Sequence, residues 1–129
     1  PSGAYSSPYV VLPIGAVNPI DIVVEASYIP VGTTVEITSV PELGSSTSAT
    51  ATLSGTEASS SGAAKINLSG KSVNVLMAKA TFTFQTASNQ TPLYVDGEKV
   101  VKMRVASVLG GKSSITYITE SGKEVQADI

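Results

Sequence analysis

From Leu76 to Phe84 the even positions, Leu76, Ala78, Ala80, Phe82 and Phe84, are all apolar. Apart from Met77, the odd positions between them, Lys79, Thr81 and Thr83, are polar. A period of two marks a strand with one face in a core and the other in water. The alternation lies within Lys71 to Thr86, the longest run without Pro or Gly that keeps a β composition, and it holds both phenylalanines of the chain on one face. The earlier half, Val73 to Met77, is apolar on both faces apart from Asn74, so it is expected to be covered on both sides. A chain organised around such a strand needs further strands to bury its apolar face.

Those strands can be read on either side. An N-terminal arm, residues 1–15, carries Tyr9, Val10, Val11, Leu12 and Ile14 between Pro8 and Pro13. Proline cannot donate a ladder hydrogen bond, which restricts the arm to an edge or a bulged position. Five large apolar side chains must be buried somewhere. The arm is expected either as the first edge strand of its own sheet or as a strand added to a neighbouring subunit. Ala16 to Ile20 reads as a turn through Asn18-Pro19.

In the domain that follows, residues 16–129, Asp21 to Tyr28 places Ile22, Val24, Ala26 and Tyr28 on one face. Thr33 to Val40 places Val35 and Ile37 inward and Thr34, Glu36 and Thr38 outward. With Ile29-Pro30-Val31-Gly32 between them, these two segments read as a hairpin-like unit. A strand of small residues, Ala49 to Leu53, and a short strand, Ala64 to Leu68, flank the flexible Ala58–Gly62 connection. Leu93-Tyr94-Val95 leads into Asp96-Gly97, a two-residue hairpin signal. Lys99 to Leu109 carries Val101, Met103 and Val105 inward, and Gly110-Gly111 ends it. Ser113 to Thr119 is expected to pair with Glu124 to Ile129 through the turn at Glu120–Lys123. No helix-period apolar pattern with a cap is present. Short strands between regular turn signals imply an all-β, antiparallel sandwich of about 7–9 strands.

The Ile29–Ile37 segment, IPVGTTVEI, the Thr/Ser/Ala-rich middle and the ATFTF strand together resemble immunoglobulin-like modules of bacterial surface and secreted proteins. The resemblance covers Asp21 to about Thr86 and is one of pattern. It implies an immunoglobulin-like β-sandwich at the cell surface or outside the cell. The Cys…Trp…Cys core of true immunoglobulin domains is absent, because the chain has neither residue.

Composition narrows the chemistry. The 129 residues fit a single domain with one core. Without Cys there is no disulfide framework, thiol nucleophile or thiolate metal site. Without His there is neither the usual general base near neutral pH nor the commonest transition-metal ligand. Net charge is −2 and the eight basic residues are scattered, which argues against nucleic acid as a partner. No run approaches the roughly 18 apolar residues of a membrane helix, so membrane insertion is not expected. Pro1 in place of Met implies a chain processed or cut from a longer one. Ser and Thr supply roughly a quarter of the residues, well above ordinary usage, a composition common outside the cell.

Candidate chemistry is thin. A serine nucleophile would need lysine as its base, and Ser69 with Lys71 or Ser121 with Lys123 are the pairs available. Both read as turns. Asp96-Gly97-Glu98 could offer calcium two carboxylates but reads better as a hairpin turn. Asn67-Leu68-Ser69 and Asn89-Gln90-Thr91 match the N-glycosylation pattern. The dispersed acids read as solvated faces rather than a paired catalytic set. The expectation is a non-enzymatic structural module without cofactor or metal, extracellular or at the cell surface. It would self-associate as a homo-oligomer or polymer, a filament or surface layer, through Tyr9, Val10, Val11, Leu12 and Ile14. The other expectation is an adhesive domain that binds a glycan or another surface protein through its loops.

Overall fold

The computed structural model describes residues 9–17, 21–27, 29, 33–42, 47–52, 61–68, 72–84 and 93–127. The described residues form eleven antiparallel strands in two sheets, an all-β sandwich. In chain order they are β1 (Tyr9–Val11), β2 (Gly15–Val17), β3 (Asp21–Ser27), β4 (Thr34–Pro41), β5 (Thr47–Thr52) and β6 (Ser61–Asn67). Then follow β7 (Val73–Thr83), β8 (Tyr94–Val95), β9 (Glu98–Val108), β10 (Ser114–Thr119) and β11 (Glu124–Ala127). The count exceeds the expected seven to nine because Ala16 and Val17, expected to begin a turn, instead form β2 with Gly15, and because the Asp96-Gly97 hairpin adds the two-residue β8.

The smaller sheet has the order β1-β3-β6. The larger follows β11-β10-β9-β7-β4-β5, with β2 paired to β7 and β8 to β9. Ile22, Val24 and Ala26 of β3, with Ala64 and Ile66 of β6, share one core with Val35 and Ile37 of β4 and Ala78, Ala80 and Phe82 of β7. Met103 and Val105 of β9 complete it. The long strand does hold the centre: β7 lies between β4 and β9, and Phe82 is fully buried.

Three sequence expectations are corrected. First, β3 and β4 are not a hairpin. They lie in different sheets, and the chain between them crosses the sandwich with Ile29 and Thr33 buried on the way. Both strands alternate because both face the same core from opposite sides, so periodicity could not tell a hairpin from a crossover.

Second, Leu76 is not inward. Val40 stands opposite Met77 and Pro41 opposite Val75, so Leu76 is the extra residue of a β-bulge. The bulge shifts the inward phase from Val75 to Ala78 and leaves both Leu76 and Met77 exposed.

Third, the inward phase of β9 changes near its start. Ile118 pairs with Lys102 and Thr119 with Val100, which skips Val101. Val100 is therefore the buried residue, and Val101 is only half-buried.

The remaining turns match their residues. Asp96 at φ 51° and Gly97 at φ 78° are the two left-handed positions a tight hairpin between β8 and β9 requires. The expected pairing of Ser113–Thr119 with the C-terminal segment is the β10–β11 ladder, Ile115 opposite Ala127 through Ile118 opposite Glu124.

Candidate association surface

The arm comes first. Tyr9, Val10 and Val11 pair with Ser27, Ala26 and Glu25 of β3 in the same chain. Val10, Leu12 and Ile14 are half-buried against the core, while Val11 points outward. The chain then passes to the other sheet, and Gly15 at φ 92° begins β2 opposite Val75. Pro41 stands opposite the same Val75 from β4, so β2 takes the flank of β7 that β9 leaves after Val108.

Where β9 ends, the sequence residues Val108-Leu109-Gly110-Gly111 make a tight turn. The Gly111 N–H donates to the Val108 carbonyl at 2.9 Å, and Gly110 takes φ 78° at the position that a type II turn reserves for glycine. Leu109 donates its N–H to the Leu76 carbonyl at 2.9 Å, tying the turn to the bulge. Its side chain lies over Gly15, where an added Cβ would sit 3.6 Å from Leu109 Cδ1.

Bulge and turn together build an apolar surface. Val40, Met77 and Val108 are successive partners across β4, β7 and β9, all directed away from the core. Leu76 is 37 % exposed, Met77 43 %, Val108 44 % and Leu109 43 %. An isolated exposed leucine needs no explanation, but adjoining large apolar residues at one end of a sheet mark a contact surface. The rows beyond it on the same face are polar: Thr38–Lys79–Ala106, then Glu36–Thr81–Arg104. Arg104 is held by Glu124 at 2.8 Å. Among the described residues, Glu36 and Lys79 form no ion pair.

Alternation with Ala78 and Ala80 places Leu76 inward, which conceals this surface in the sequence. Two signals were present. Leu76-Met77 puts two large apolar residues side by side where alternation allows one, and Val108-Leu109 stands directly before Gly110-Gly111.

The polar candidates fall elsewhere. Ser121 and Lys123 do not form a nucleophile–base pair: Ser121 donates its hydroxyl to Glu98 Oε1, and Lys123 Nζ meets Asp96 Oδ2 at 2.9 Å. Thr119 also donates to Glu98 Oε1, at 2.9 Å, and its hydroxyl accepts from the Lys123 N–H at 3.2 Å. The hydroxyls of Ser121 and Thr119 hold the Glu98 carboxyl below its ordinary pKa, and the Asp96 carboxylate raises that of Lys123. The effect is a clasp between the β8–β9 and β10–β11 turns. Each carboxylate of the Asp96–Glu98 turn is thus occupied by a neighbour in the chain. The described residues hold no group of three or more His, Cys, Asp or Glu that could bind a metal. Asn67 is exposed and donates to Asp21 Oδ1. Ser69, Lys71 and Asn89 lie outside the described residues. Comparison with protein families, with curated proteins and with solved structures finds no match.

Proposed function

We propose that this domain is a non-enzymatic structural module of an extracellular filament or surface layer and that it works by self-association. The observation that carries the reading is the apolar surface of Leu76, Met77, Val108 and Leu109, exposed by a bulge and a glycine turn. Leaving a large aliphatic side chain in water forgoes roughly 1.5–3 kcal/mol relative to full burial. The bulge buries Val75 in place of Leu76 and so sets Leu76 and Met77 side by side in solvent.

The immunoglobulin-like part of the reading is supported by strand order. With β1, β3 and β6 taken as the first, second and fifth strands of such a domain, the larger sheet runs β5-β4-β7-β9, in the positions of its third-strand pair, sixth and seventh strands. The extracellular setting rests on the hydroxyl-rich, charge-poor composition.

The test is the mass of the chain in solution across a concentration series, with electron microscopy of the concentrated material. Mass that rises with concentration is expected. A monomer at every concentration up to about 1 mM, where a Kd of that size would already show in the mass, overturns the reading. The second reading, an adhesive domain, has one observation in its favour: Tyr94, 58 % exposed beside the β8–β9 turn.

A further inference from the structure

We infer that the partner on this surface is a second copy of the chain, docked face to face on the outer side of the larger sheet about a two-fold axis that runs along the strands between β4 and β7. The inference rests on the self-association reading above and names its surface and symmetry. It differs from exchange of the N-terminal arm, since the arm pairs with β3 of its own chain.

Area argues for an occupant with a flat face. Four side chains, each less than half exposed, fall well short of the roughly 800 Å² per partner of a standard interface. A partner that covers the apolar row must therefore also cover the Thr38–Lys79–Ala106 and Glu36–Thr81–Arg104 rows beside it. Those rows lie on a twisted sheet, and the surface that follows a twisted sheet over several rows is another sheet of the same twist, packed aligned. The outer face of a second copy has that shape.

Charge then selects the axis. Glu36 on β4 and Lys79 on β7 are both exposed and form no ion pair among the described residues. An axis through β7 would set Lys79 against its own copy, a like-charge contact that disfavours the arrangement. An axis between β4 and β7 sets β4 of one copy over β7 of the other. Val40 then meets Met77 twice, once on each side of the axis. Glu36 of each copy comes within one row of Lys79 of the other, so both charges gain a partner. The same patch serves both subunits, so this contact by itself pairs two chains, and a filament or layer would be built from such pairs through a further contact.

The experiment is sedimentation equilibrium of the full chain and four variants, with thermal unfolding as a control for folding. Met77→Lys should raise the dimer Kd by at least about tenfold. Glu36→Lys and Lys79→Glu should each raise it severalfold. The double variant, with both charges exchanged, should return it toward the wild-type value, which a merely structural role for either residue would not produce. A wild-type chain that stays monomeric overturns the self-association reading and this inference together. A chain that associates with the same Kd in all the variants keeps that reading and refutes this surface. Failure of the double variant to recover refutes the Glu36–Lys79 pairing and the axis chosen from it. An odd-numbered assembly, such as a trimer that forms without a dimer, refutes the two-fold contact.

Discussion

Pro41 stands opposite Val75 although its neighbour Val40 stands opposite Met77, so Leu76 has no partner across the β4–β7 ladder. One extra residue in β7 thereby separates two phases of the same strand. Above the bulge, Ala78, Ala80 and Phe82 face the core; below it, Val75 does. Between them Leu76 and Met77 reach solvent beside Val108 and Leu109.

The bulge makes the two phases distinguishable by substitution. Leu76→Thr should cost less than about 1 kcal/mol, since the side chain is already partly in water and surface changes are small. Ala78→Leu, two residues on, forces extra methylenes into a fully packed site and should cost roughly 1–3 kcal/mol. Urea unfolding of both variants checks this. The reverse order would show that β7 carries no bulge and that Leu76 faces the core.

Among the described residues Phe82 is the largest fully buried side chain, set between Val35 and Met103 on the neighbouring strands. Phe82→Ala should cost about 3–5 kcal/mol by lost transfer energy and the cavity left behind. Thr83→Ala, on the other face, should cost little. Equal losses in chemical denaturation would contradict the assignment of faces.

Removal of residues 1–15 should destabilise the domain. Val10, Leu12 and Ile14 are half-buried against the core, and half of the burial energy of three such side chains is roughly 2–4 kcal/mol. The loss also exposes the edge of β3 from Glu25 to Ser27. Unfolding of the truncated chain measures the loss, and a midpoint equal to that of the full chain would show that the arm contributes nothing to its own domain.

Glu98 links stability to pH. Hydrogen bonds from Ser121 and Thr119 favour its carboxylate, so its folded pKa lies below its unfolded value. The group's contribution is complete above the unfolded pKa and disappears as pH falls through the folded one. Glu98→Gln should therefore lower stability at neutral pH and flatten the acid side of the stability profile, below the ordinary carboxylate range. Lys123 works at the other end of the scale. Its folded pKa is raised by Asp96, so its contribution is present below the unfolded pKa and fades as pH rises through the folded one. Thermal midpoints of wild type and Glu98→Gln between acid and neutral pH supply the check, and parallel profiles would exclude the clasp.

Most strands were legible from residues alone, because a side chain's alternation depends only on its own backbone; β2 was not, since Ala16 and Val17 read as the start of a turn. Ala78, Ala80 and Phe82 inward, Val35 and Ile37 inward, and the Asp96-Gly97 hairpin all followed from local pattern and turn chemistry. So did the central place of β7. The sheet to which each strand belongs was not legible. Ile22–Ala26 and Val35–Ile37 have the same alternation whether they pair with each other or face each other across a core, and only packing placed them in opposite sheets. The phase breaks at Leu76 and Val101 were also decided in three dimensions, where β4 and β10 pair past the extra residue rather than with it. The outward row of Val40, Met77 and Val108 exists only once three strands far apart in the sequence lie side by side. Periodicity records which way one residue points relative to the next; only the ladder and the opposing sheet decide what lies there.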